Sequence, residues 1–362
     1  MTDRPLSLLV ALLVLPLSGC SSCMQSAGQT SFGIMPGVVN DPGNRTLRRS
    51  ILRYGLDQFC KELTHRGAPL KLREEDPVMG RFFARSCGYQ ELSNGDAFVQ
   101  FTGVGYAWTN VSLRIGFEAT GSIQYNQDFL MHGSTMYAYF RTRTVASTSF
   151  KTLMVERAGV NGADVLGRFT DPVAQQVVDK QLSRGFTVIR ESNGTVEFGL
   201  GIIEKGQHPA RPFEVRGKDR VTFANERTEV HGQQLDFLGP FQVESNDRAL
   251  YVNLVIDGVP AVDAMVVGKE AGDAWLEQYI RNAGVPAIPQ PPLTSEVVPI
   301  RAQWSKTLPV GKGYYYVVVD NSSSVGSVAP PSAGRIPLLP GTLAPADPAA
   351  LVNVVVQVGD AP

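Results

Sequence analysis

The positions of apolar residues divide the chain into two textures. From Asn44, Leu47, Ile51, Leu52, Phe59 and Leu63 recur close to every four residues, which predicts a helix ending before His65-Arg66-Gly67. Arg45, Arg48, Arg49 and Arg53 fill its other side and read as a solvated face. Beyond about Phe82 the pattern shifts toward a period of two. Ala97–Phe101, Val111–Phe117 and Met136–Arg141 are rich in aromatic and β-branched residues and predict strands. A second helix is predicted from Asp171-Pro172, with Val173, Val177, Val178 and Leu182 as its apolar stripe and Gly185 as its stop. Phe186–Ile189 and Val196–Leu200 flank Asn193-Gly194, a strong hairpin signal.

After Pro209 and Pro212 short strands follow one another closely. They are predicted around Val221, Glu229 and Phe237, then at Leu250–Ile256, Val262–Val267, Val297–Trp304, Tyr314–Val319 and Val352–Val358. One helix interrupts them, from about Lys269 to Asn282, ending at Gly284. The fold class expected is α+β, mostly β. An α+β domain of antiparallel strands with two packing helices is expected at 45–205. A β-sandwich with one inserted helix and a Pro-rich loop near 329–349 is expected at 206–362.

The first residues have a different character. A short polar start precedes an apolar run, Leu6–Leu15, and the segment closes on Leu17-Ser18-Gly19-Cys20. About ten apolar residues are too few for a bilayer span, which takes about 20, and suit a secretory signal instead. Leu-Ser-Gly-Cys at this distance behind such a run resembles the lipobox of bacterial lipoproteins, although Asp3 weakens the basic start. The resemblance covers residues 1–20 only. It implies removal of 1–19, a diacylglycerol on Cys20 and a mature protein held on a membrane. Ser21, where retention in the inner membrane would call for aspartate, implies the outer membrane. Residues 20–44, rich in Ser, Gly and Pro, then read as a tether.

The cysteines fit export. Cys60 and Cys87 fall inside one predicted unit and an oxidising compartment would join them. The bond would contribute roughly 3 kcal/mol by loop entropy. Cys23 is left over.

Composition excludes more than it identifies. Net charge is −1 and no basic block exists, so nucleic acid is not an expected partner. The four histidines (His65, His132, His208 and His231) show no metal-ligand spacing, and no cofactor is expected. Gly103-Val104-Gly105 is half of a dinucleotide fingerprint without its third glycine or helix. Asp257, Asp263 and Asp320 sit at strand ends, where aspartate makes turns. No catalytic motif emerges, which favours a non-enzymatic protein, although chemistry from dispersed carboxylates stays open.

Two functional readings remain. One is a membrane-attached structural or binding module contacting an envelope protein, glycan or lipid. Tyr314, Tyr315 and Tyr316 would serve it, since three consecutive strand residues cannot face a single core and one ring should point outward. The other is a lipid carrier. The order helix, strands, helix, hairpin over 45–205 resembles the tubular lipid-binding superfamily, which implies a greasy groove lined by Val173, Val177, Val178 and Leu182.

Overall fold

The computed structural model describes residues 40–109, 113–156, 184–209, 211, 213, 219–330 and 349–362. The predicted helix at 171–182, its four apolar residues, Cys20, Cys23 and nearly all of the Pro-rich stretch lie outside them. The described residues are mostly β and their sheets are antiparallel.

Helix α1 (Arg45–His65) leads into a seven-stranded meander. Its strands are β1 (Ala68–Leu70), β2 (Gly80–Glu91), β3 (Ala97–Thr109), β4 (Leu113–His132), β5 (Thr135–Val155), β6 (Phe186–Arg190) and β7 (Val196–Leu200), neighbours in space as in sequence. The strands at 97 and 136 run well past their predicted ends. The β6–β7 hairpin forms where Asn193-Gly194 placed it, with Gly194 at φ +89°. Cys60 of α1 and Cys87 of β2 are disulfide-bonded, which ties the helix to the sheet beside the contacts of its buried Leu56.

Two four-stranded sheets follow, ordered β13-β10-β15-β8 and β12-β11-β14-β9. Their strands are β8 (Arg220–His231), β9 (Gln234–Val243), β10 (Arg248–Asp257), β11 (Ala261–Gly268), β12 (Thr294–Pro299), β13 (Trp304–Leu308), β14 (Gly313–Asn321) and β15 (Ala349–Asp360), with helix α2 (Lys269–Arg281) between β11 and β12. The single strand expected at Val297–Trp304 is instead the end of β12 and the start of β13, which belong to different sheets. The chain turns between them at Ile300-Arg301, where Arg301 takes φ +58°.

Sheet β12-β11-β14-β9 is a middle layer. On one face Leu238, Val266 and Val317 join Leu254 and Val354 of the other four-stranded sheet in a buried cluster. On its opposite face Phe237, Met265 and Val318 join α2 and Phe83, Val104 and Tyr106 of the seven-stranded sheet. Successive side chains of a strand point to opposite faces, so a layer buried on both sides needs apolar residues at every position. That accounts for unbroken runs such as Tyr315–Val319. The boundary expected near residue 205 therefore separates two stretches of sequence that share a core.

Polar contacts lock the same junction. Arg81 on β2 grips Asp236 on β9 with two hydrogen bonds, Nε to Oδ1 at 2.7 Å and Nη2 to Oδ2 at 2.8 Å. Its Nη1 donates to Glu226 on β8 at 2.9 Å. The Tyr106 hydroxyl donates to Asp236 at 2.6 Å and accepts from the Phe237 N–H. Val78 bridges to Thr228, and the Arg66 guanidinium donates to the Phe223 carbonyl at 3.0 Å. Gly116 lets the end of α2 lie against β4, because a Cβ there would collide with the Ile280 carbonyl.

Candidate functional site

Along the other face of the seven-stranded sheet the packing is incomplete. The sheet curls, and between it, α1 and strands β8 and β9 lies a cavity of about 310 Å³, at the lower end of the range of small-molecule sites, ~300–1,000 Å³. Its wall carries several aromatic rings, among them Phe59 from α1, Phe101 from β3, Phe150 from β5, Phe186 and Phe198 from β6 and β7, and Phe223 from β8. Phe59 and Phe186 stack at 4.7 Å between ring centres. Glycine enables the curl. Gly105 pairs with Phe82 on one side and Phe117 on the other, and a Cβ there would strike the Phe117 ring and the Arg81 carbonyl. The Gly103-Val104-Gly105 segment is thus a strand that lets rings and backbone approach.

Three of the cations that reach the wall do so paired with carboxylates. Lys71 lies 3.5 Å from Glu74, whose other oxygen accepts from the Leu200 N–H. Arg211 pairs with Glu197, and Arg81 with Glu226 and Asp236. Arg66 spreads over the Phe223 ring, 4.7 Å from its centre. At the rim, Glu191, Glu197 and His208 form a group of metal-ligand type. His208 Nδ1 is 2.9 Å from Glu197 and 3.8 Å from Glu191. The Arg211 guanidinium contacts both carboxylates and supplies positive charge to them.

The three tyrosines are placed differently from expectation. Tyr315 packs into the cluster between the two four-stranded sheets, its hydroxyl donating to the Val310 carbonyl at 2.6 Å. Tyr316 enters the opposite cluster and donates to Asp273 at 2.7 Å. Tyr314 is half-buried and stacks with His65 at 5.8 Å. None of the three is exposed. The outward ring followed from assuming one core, whereas this sheet has a core on each face. On the arginine face of α1, Arg45, Arg49 and Arg53 are exposed as expected, and Arg48 is half-buried. Arg48 pairs with Asp128, and Arg49 and Arg53 reach Glu91 at 2.6 and 3.1 Å.

Sequence reasoning missed two features. The cavity is one, because curvature and the distance between elements leave no local mark. The other is a pair of buried carboxylates. Asp263 and Asp320 are cross-strand partners, 1% and 0% exposed. Asp257 does make the expected turn, accepting from the Gly258 N–H. Asp320 instead accepts from the Gly326 N–H, and Asp263 from the Val328 N–H. Burial first, and then the neighbouring Asp263, push Asp320 from the ordinary 3.8 up to about 6, against the pull of hydrogen bonds from Ser322 and Gly326. Comparison of the chain with protein-family models and with curated proteins returned no match.

Proposed function

We propose that this protein works on a bacterial membrane surface, anchored through a lipidated Cys20, and there holds an apolar ligand in the cavity between its curled sheet and strands β8 and β9. The cavity carries this reading. A partly open cavity walled by several phenylalanine rings exposes apolar surface to water, and an apolar ligand would cover it. Its carboxylates, Glu74, Glu197 and Glu226, each hold a cation, which favours binding over acid–base chemistry. The apolar leader, its Leu-Ser-Gly-Cys ending and the Cys60–Cys87 bond support an exported, anchored protein. No helix among the described residues is long and apolar enough to cross a membrane.

We also read β8–β15 as a β-sandwich, supported by the apolar cluster that draws on both four-stranded sheets. In this arrangement the second half braces the junction and closes one side of the cavity, and the tether sets its distance from the bilayer.

Two measurements test the reading. Cells expressing the full chain and fed labelled palmitate should yield labelled protein, and Cys20→Ala should abolish the label. A label that persists in the variant, or never appears, removes the anchor. Native mass spectrometry of the full chain should show a bound apolar molecule of a few hundred daltons. Protein that is always ligand-free, and stays so after incubation with envelope lipid extract, removes the ligand.

A further inference from the structure

The charge pattern of the cavity wall narrows the ligand class, an argument that rests on the reading just given. Among the described residues four cationic side chains reach the wall, and each is already engaged. Arg81 is 1% exposed and holds Asp236 and Glu226 through both edges of its guanidinium. Lys71, 8% exposed, lies against Glu74 and its carbonyl. Arg211 is taken by Glu197, with Glu191 at 4.0 Å. Arg66 donates to the Phe223 carbonyl and covers the Phe223 ring. The carboxylates of the wall are the partners in these same pairs.

A charged group entering such a space loses part of its water, and three of these four cations already face carboxylates, while Arg66 is engaged by a carbonyl and a ring. That transfer is strongly unfavourable without a partner. A hydroxyl or amide loses far less, and the rim offers it an uncharged partner in Thr148 of β5, which is exposed, lies on the cavity wall and shares its strand face with Phe150. We infer that the cavity selects an uncharged amphiphile, an apolar body with a hydroxyl or amide head, and discriminates against fatty acids and cationic lipids with the same chain.

The purified full chain at neutral pH, loaded with the uncharged fluorophore N-phenyl-1-naphthylamine, tests this. Dodecanol, dodecanoate and dodecylammonium compete against the probe, each below its micellar concentration. The expected result is displacement by dodecanol at a concentration at least tenfold lower than by either charged chain. Equal or better displacement by dodecanoate or dodecylammonium overturns the selectivity while leaving an apolar site in place. A probe that never binds, with no competitor protecting the protein from thermal unfolding, overturns the apolar site itself. Glu197→Gln should free Arg211 and shrink the gap between dodecanoate and dodecanol at least threefold. Glu74→Gln, acting through Lys71 at a separate point of the wall, should shrink it in the same direction. A gap that neither variant changes shows that paired charges are not what excludes the acid, and overturns the inference.

Discussion

In the sheet β12-β11-β14-β9 apolar side chains meet partners on both faces, whereas the seven-stranded sheet meets one of those cores on one face and on the other leaves a partly open cavity of about 310 Å³ beside clusters around Leu56 and Phe117. The strands reflect this. The middle layer is built from runs such as Val317-Val318-Val319, each residue fully buried. The curled sheet mixes glycines with large rings, as at Gly105 between Phe82 and Phe117. Uniform β-branched side chains fill a flat gap between layers. Glycine and aromatic residues bend a sheet and leave its far side to be closed by something else. On the function proposed above, the filled region braces the fold and the region with the cavity serves the ligand.

The largest test of that division is Arg81, which stands at the boundary. Burial alone would raise the pKa of Asp236. The charge and hydrogen bonds of Arg81, with those of Tyr106 and Thr228, outweigh it and hold the carboxylate below its usual value. Arg81→Ala leaves Asp236 and Glu226 buried without their cation and should cost about 3–5 kcal/mol in urea unfolding. The sign of the pH dependence follows. A depressed carboxylate contributes stability above its unfolded pKa and loses it as pH falls through the folded value. Wild type should therefore weaken in acid more steeply than the variant. A loss under about 1 kcal/mol, or parallel acid profiles, would mean that the two halves are held by the apolar cluster alone.

What could be read in advance divides along the same line. The helices at 45 and 269, the hairpin at Asn193-Gly194 and most strands of the second half were legible because each is written in local periodicity or turn chemistry. The pairing of Cys60 with Cys87 was legible because few cysteines were available. The fate of Tyr314–Tyr316 was not. Alternation shows that neighbouring rings take opposite faces, but not that both faces are covered. Nor was the pairing of Asp263 with Asp320, which depends on the register of strands some fifty residues apart. The cavity was least legible of all, since it is a property of how α1, the sheet and β8–β9 meet.

Those two aspartates give the second test, inside the filled region. Asp320 titrates near 6 in the fold against 3.8 ordinarily. A raised carboxyl stabilises the fold while protonated, below the unfolded pKa, and that contribution is lost as pH rises through about 6. Asp320→Asn keeps the shape without the charge. It should be near neutral at pH ~4 and more stable than wild type by about 2–3 kcal/mol at pH ~7, taking ~1.4 kcal/mol for each unit of pKa. Thermal melts of both proteins across that range decide it. A difference independent of pH would show that Asp320 ionises freely, through water reaching the layer or a cation held there.

The smallest effect on stability is expected where the hollow region opens. Phe198 on β7 is 39% exposed, its ring centre 6.4 Å from that of Phe59 across the cavity. A ring bounded partly by solvent and partly by space gives up few contacts on truncation, so Phe198→Ala should cost less than about 1 kcal/mol, far below the ~3–5 kcal/mol of a phenylalanine removed from a dry core. The same truncation widens the cavity and removes part of its aromatic wall, so binding of N-phenyl-1-naphthylamine should weaken severalfold. The two readouts must separate for the comparison to hold. If Phe198→Ala melts like a core variant, the space is sealed packing and not a site. If neither melting nor probe binding responds, the probe sits elsewhere, and the division between a filled half and a ligand-holding half fails.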